Sequence, residues 1–161
     1  MNTMTNIETI RTEKIDTLND LIAITRDSAT FYNDAAKAVP NPALKSLFGE
    51  MASSKNGLVG AMSREVRTEG ANPATNGTVR GAWDKLYGEV RSQFGDTNYG
   101  YVSQLESSED RLMKAFNEVV ADDDVPTSVK QMVTNYLPTI RSHHDMMRDR
   151  KWSMQAASAS H

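Results

Sequence analysis

Residues 17–36 read TLNDLIAITRDSATFYNDAA, residues 41–66 read NPALKSLFGEMASSKNGLVGAMSREV, and these two stretches decide the fold. In each of them apolar side chains recur every three or four residues, which is the spacing of one face of an α-helix. Val39-Pro40 ends the first helix, because a residue before proline avoids the α region. Asn41 caps the second helix, which has a proline in its first turn. A connection this short makes the two helices antiparallel neighbours.

Helical spacing continues through most of the remaining chain. Residues 70–77 (GANPATNG) are rich in turn formers and predict a loop. The segment 70–98 is long enough to return along the second helix, and ferritin-like bundles contain such a crossover. The predicted fold is all-α: an antiparallel ferritin-like four-helix bundle with a short crossover helix between helices two and three. The bundle spans 15–153, after a flexible leader (1–14) and before a flexible tail (154–161), with helices at 16–38, 42–69, 79–94, 97–121 and 126–152.

Composition excludes several classes of function. The chain has 161 residues, a net charge of −3 and no cysteine. Without cysteine there are no disulfides, thiolate metal sites or thiol catalysis. The charge balance provides no basic field for nucleic acid or an anionic membrane. No apolar run approaches the ~20 residues of a membrane span, and the first residues do not resemble a signal peptide. We therefore expect a cytoplasmic protein with no nucleic-acid or membrane partner.

Each long helix carries one polar residue on its otherwise apolar stripe. These residues are Ser28, Lys55, Glu109 and His143, and each lies near the middle of its helix. In an antiparallel bundle, mid-helix positions meet at a similar height. A buried polar group without a partner lowers stability by roughly 1–3 kcal/mol in mutational data. We therefore predict a polar layer at the centre of the bundle.

A di-iron bundle would need further carboxylates at this level. Ferritin-like di-iron proteins use a Glu on two helices and Glu-x-x-His on the other two, and this chain contains no Glu-x-x-His. Lys55 stands on the core stripe of the second helix, where its ammonium can supply the charge of a metal. We therefore predict a Lys55–Glu109 ion pair, with His143 and either Ser28 or Asp27 hydrogen-bonded around it.

The alternative is a metal site of unusual composition. It would hold iron or another divalent metal with ligands drawn from five residues, Asp27, Glu106, Glu109, His143 and His144. A one-residue offset separates the last two by about 100° around a helix, so the sequence does not decide which of them faces the core.

Several stretches resemble a bacterial family of ferritin-like four-helix-bundle proteins described as a domain of unknown function. The resemblance rests on 17–36 and 41–66, on Trp83 in the crossover, on ESSED at 106–110 and on HHD at 143–145. It implies the ferritin-like fold and a small cytoplasmic protein. It also implies a shape similar to rubrerythrin and bacterioferritin without the full ligand set, and no established activity.

Three functional hypotheses follow. The first is a non-enzymatic, self-associating bundle without a cofactor, in a structural or stress-related role. The second is a metal-binding protein, either a di-iron-type oxidoreductase or an iron-handling protein. The third is a helical protein-interaction module, which predicts an exposed apolar patch around Gly57, Gly60 and Trp152.

Overall fold

The structure is a computed structural model that describes residues 3–77 and 97–159. Within these ranges the chain forms four α-helices, α1 (Thr3–Ala38), α2 (Pro42–Thr68), α3 (Thr97–Ala121) and α4 (Thr127–Ala159). The all-α prediction is confirmed. The crossover helix predicted at 79–94, with Trp83, lies outside the described residues.

The turn between α1 and α2 follows from its sequence. Asn41 has an extended backbone (φ −73°, ψ 122°), and its side chain accepts a hydrogen bond from the backbone N–H of Leu44 at 3.1 Å. This bond satisfies one of the free N–H groups in the first turn of α2. At the other end, Gly70 stops α2 with a φ of 78°, a left-handed conformation that glycine adopts without strain.

Contacts along the helices fix their directions. Lys14, early in α1, pairs with Glu69 just beyond α2 at 2.8 Å. Tyr32, late in α1, packs against Phe48, early in α2, with 6.1 Å between ring centroids. The two helices are therefore antiparallel.

The second pair of helices, α3 and α4, is antiparallel as well. The Gln155 amide, late in α4, donates to the Tyr99 hydroxyl, early in α3, at 2.7 Å. Asp110, further along α3, contacts His144, which lies earlier in α4. The bundle thus consists of two antiparallel pairs.

The start of α3 lies beside the start of α2. The Asn41 N–H donates to the Asn98 side-chain oxygen at 3.2 Å, so α2 and α3 begin at the same end and run in the same direction. The connection from α2 to α3 must therefore join opposite ends of the bundle. This arrangement is compatible with a ferritin-like bundle.

The first part of that connection follows α1. The Glu69 carbonyl accepts from Arg11 at 2.9 Å, and the Ala74 carbonyl accepts from Arg26 at 2.9 Å. Between them the Asn19 side chain bonds to backbone groups of two loop residues. Its oxygen accepts from the Ala74 N–H at 2.7 Å. Arg11 and Arg26 are about 22 Å apart along a helix. The loop predicted at 70–77 is thus held along the surface of α1.

The buried apolar residues form two clusters. One lies towards the start of α1 and the other towards its end, and both draw on all four helices. The first cluster contains Leu18, Leu21, Ile22, Leu58, Val59, Met62, Val66, Leu112, Phe116, Val129, Val133 and Ile140. The second contains Tyr32, Ala35, Val39, Leu44, Phe48, Met51, Ala52, Tyr101, Val102, Leu105 and Met147. Polar residues separate the clusters at the middle of the bundle.

The helix ends differ from the prediction at both termini. α1 begins at Thr3 rather than at 16, so most of the predicted leader is helical. Arg11 and Lys14 bind the C-terminal end of α2, and this tertiary contact orders a stretch that has no apolar pattern. α4 continues to Ala159 rather than to 152, because Met154 packs against the second cluster and Gln155 bonds to Tyr99. No helix among the described residues carries an apolar stretch long enough to cross a membrane.

Candidate functional site: a buried polar layer

An ion pair occupies the centre of the bundle. The Lys55 ammonium on α2 lies 2.9 Å from both carboxylate oxygens of Glu109 on α3. Both side chains are 0% exposed. The Tyr32 hydroxyl on α1 donates to the same carboxylate at 2.7 Å. Glu109 therefore accepts from two helices at once, and its negative charge is fully compensated inside the core.

His143 on α4 completes the layer. Its Nδ1 lies 2.9 Å from the Lys55 ammonium, and its Nε2 lies 3.1 Å from the Ser54 hydroxyl. A protonated lysine can only donate, so Nδ1 must be the acceptor and Nε2 carries the proton. The result is a continuous chain of hydrogen bonds, Tyr32–Glu109–Lys55–His143–Ser54, that joins all four helices.

Burial and the central ion pair set the charge states. The pKa of His143 falls to about 4, because burial disfavours the imidazolium and the Lys55 ammonium repels it. Burial also lowers the pKa of Lys55, although the Glu109 charge opposes that shift. The pKa of Tyr32 lies well above its ordinary value, because of burial and then of the neighbouring Glu109 charge. The His143 imidazole is therefore neutral at pH 7, beside the ion pair of Lys55 and Glu109.

Two residues expected around this layer do not join it. Ser28 is buried, but its hydroxyl has no hydrogen-bond partner within the described part of the chain. Tyr32, one helical turn further along α1, is long enough to reach Glu109 and takes the place predicted for serine. Asp27 is half-buried and faces the loop, where a Cβ on Gly77 would collide with its carboxylate.

The layer does not fit a di-iron group. Such a site needs four carboxylates and two imidazoles, whereas the described residues at this level supply one carboxylate, one imidazole and an ammonium. Lys55 contacts both Glu109 and His143, so the two groups able to ligate are already used by a fixed positive charge. A metal ion would have to displace Lys55 and leave its charge buried beside another cation.

The other candidate ligands lie at a second place, between α3 and α4. His144 lies outside the core layer, and its Nε2 is 2.5 Å from Asp110 on α3. Its Nδ1 lies 3.2 Å from the neighbouring Asp145. Burial alone would lower the pKa of His144, but the hydrogen bonds and charges of Asp145 and Asp110 raise it above its ordinary value. Glu106 lies one turn before Asp110 and pairs with Lys151 at 3.6 Å.

The two adjacent histidines therefore belong to different environments. Among the five possible ligands named from sequence, Glu109 and His143 join the core layer, Glu106 and His144 meet near the surface, and Asp27 faces the loop. The sequence analysis missed Tyr32, Ser54 and Asp110. Tyr32 had a signal, because a tyrosine on a core stripe usually needs a partner for its hydroxyl.

Fold and site together define the class, an all-α four-helix bundle with an ion pair as its central layer. A family model described as "Domain of unknown function (DUF2383)" matches residues 13–122, and the chain belongs to that family. The resemblance noted from the sequence is thus confirmed. No curated protein and no solved structure gives a significant match. The matched region includes Lys55 and Glu109 and ends before α4, which carries His143 and His144.

Proposed function

We propose that this protein is a ferritin-like helical bundle without enzymatic activity, in which a polar layer replaces a metal centre and fixes the relative position of the helices. The observation that supports the proposal is the place of Lys55. Its ammonium contacts a carboxylate and an imidazole from two other helices at 2.9 Å. These contacts are lost if any of the three helices shifts by a turn.

The physical role of such a layer is to favour one alignment of the helices over all others. An apolar core tolerates sliding of one helix against another, because many arrangements bury similar apolar area. A buried ion pair does not, because sliding leaves each charge desolvated and unpaired. Polar residues in helical cores are best attested in fixing register.

Self-association in the cytoplasm is part of the same proposal. Its support is the exposed start of α1, where Ile7 and Ile10 are 60% and 53% exposed. They lie three residues apart, on one side of a helix that extends beyond the contact of Arg11 with Glu69. A second copy of the chain could cover both side chains. A stress-related role belongs to the same proposal.

The interaction-module hypothesis requires one exposed apolar patch that includes Gly57, Gly60 and Trp152. Trp152 is 58% exposed, but the Arg148 guanidinium lies over its ring, 4.9 Å from the centroid. Among the described residues, a Cβ on Gly57 would meet nothing within 4 Å, and one on Gly60 would meet only the end of the Arg64 side chain. Within that part of the chain, no contact joins the two glycines to Trp152 in one apolar patch.

The proposal is tested by metal content and activity of the untagged protein. We expect that Fe²⁺ oxidation in air is no faster with the protein than in buffer. Any iron that binds should remain bound when Glu109→Gln or His143→Gln is introduced. Stoichiometric iron that is lost in both variants but retained in His144→Gln would place a metal in the core and refute the proposal.

Self-association has its own test. Light scattering coupled to size exclusion should give a mass above 17.8 kDa, the mass of one chain. Ile7→Asn combined with Ile10→Asn should return the protein to that mass, whereas the control Glu13→Gln on the same helix should not. A monomer at high concentration would exclude this part of the proposal.

A further inference from the structure

The side chains between α3 and α4 form a group separate from the core layer. Glu106, Asp110 and His144 each present one ligand atom, and these three atoms lie within 4.8 Å of one another. Glu106 and Asp110 are one turn apart on α3, so both carboxylates reach the same point on α4. Glu106 is half-buried and Asp110 is exposed, so the group is open to solvent on one side.

The orientation of His144 is the second observation. Its Nδ1 lies 3.2 Å from Asp145, while its Nε2 contacts Asp110. Histidine ligands of metals usually donate their other ring N–H to a carboxylate, which fixes the ring and makes the free nitrogen more basic. Asp145 is placed for that role. His143 differs, because its two ring nitrogens contact Ser54 and Lys55 and no carboxylate of the described residues.

We propose that Glu106, Asp110 and His144 bind one divalent first-row transition metal ion, with Asp145 as the residue that positions the imidazole. Two carboxylates and one imidazole suit Zn²⁺, Mn²⁺ or Fe²⁺, and water completes the coordination. The ion replaces the proton between His144 and Asp110. Ligand atoms around a tetrahedral ion are about 3.4 Å apart for bonds of about 2.1 Å. The side chains therefore move by about an ångström, which their partial exposure permits.

Nearby cations compete with the ion. Lys151 lies 3.6 Å from Glu106, and Arg148 lies 3.4 Å from Asp145. Lys151 neutralises one of the proposed ligands, and Arg148 neutralises the carboxylate that positions the imidazole. The ion has to displace Lys151 from Glu106, so the removal of this lysine should strengthen binding. A purely structural salt-bridge cluster predicts no metal affinity with or without Lys151.

The test is Zn²⁺ binding to the full chain by calorimetry. The background is His161→Ala, since the chain contains three histidines and this change leaves only the adjacent pair. We expect one Zn²⁺ per chain, and a loss of affinity of about tenfold or more in His144→Gln, Glu106→Gln and Asp145→Asn. Lys151→Met should tighten binding severalfold. Circular dichroism checks that each variant is folded.

Two controls keep the site distinct from the core. His143→Gln and the exposed Asp123→Asn should bind Zn²⁺ as the background does. The proposal is overturned if Zn²⁺ binds no tighter than about 1 mM, the weak end of the range for calcium sites in proteins. It is also overturned if His144→Gln binds normally. Loss of binding in His143→Gln alone would locate the ion in the core and refute the metal-free layer as well.

Discussion

Replacement of Lys55 by methionine should destabilise the fold far more than the loss of one surface ion pair. Two unit charges 2.9 Å apart attract each other by about 6 kcal/mol at an effective dielectric constant of 20. The cost of removing both groups from water is of the same order, so the intact pair contributes little net stability. Without Lys55, however, the Glu109 charge remains buried, with Tyr32 as its hydrogen-bond donor. We expect the free energy of unfolding to fall by about 3–5 kcal/mol.

A double-mutant cycle separates pairing from packing. Glu109→Gln alone should cost about 2–4 kcal/mol, because it leaves a buried ammonium without its anion. The combination with Lys55→Met should cost less than either single change, because no uncompensated charge remains. The coupling energy should therefore be at least about 2 kcal/mol. The assay is urea unfolding at pH 7, followed by circular dichroism.

The matched control is Lys114→Met. Lys114 lies on α3, is 77% exposed at its side chain and pairs with Glu118 at 3.9 Å. Its removal should change stability by no more than about 0.5 kcal/mol. A loss below about 1 kcal/mol in Lys55→Met, or additive single changes in the cycle, would refute the buried ion pair as the centre of this fold.

Three further predictions concern the cap, the loop and pH. Asn41→Ala should lower the free energy of unfolding by about 1 kcal/mol, because the first turn of α2 loses its acceptor; an unchanged urea midpoint would contradict the cap. Asn19→Ala should speed proteolysis after residue 69, since it removes the Asn19 bonds to the Asn72 carbonyl and the Ala74 N–H; equal cleavage rates would contradict a loop held by Asn19. His143 has a pKa of about 4 against 6.5 when unfolded, so the unfolded chain takes up the proton first. The contribution of the neutral imidazole to the free energy of unfolding is complete above pH 6.5. It is lost as the pH falls towards 4, by up to about 3 kcal/mol. The stability curve of His143→Gln should lack this loss, and parallel curves for the two proteins would show that His143 is not buried as described.

Much of the fold follows from the sequence because helical periodicity is a local signal. The ends of α2 agree with the prediction to within a residue, since Asn41 and Gly70 act on their own neighbours. The bounds of α3 agree with the prediction as well. The start of α1 could not be predicted in this way. Its first turns are helical without an apolar stripe, and the order comes from Arg11 and Lys14 binding the end of α2, which is remote in sequence.

In the candidate site, too, some features follow from local spacing and others from tertiary packing. The sequence by itself determined that a lysine, a glutamate and a histidine lie on apolar stripes at mid-helix, because stripe membership depends only on spacing along one helix. Only the tertiary structure decided that Tyr32 rather than Ser28 reaches Glu109, and that His143 faces the core while His144 meets Glu106 and Asp110. Those choices depend on side-chain reach and on the rotation of each helix about its axis. Packing between helices sets that rotation, and neighbouring residues in the sequence do not.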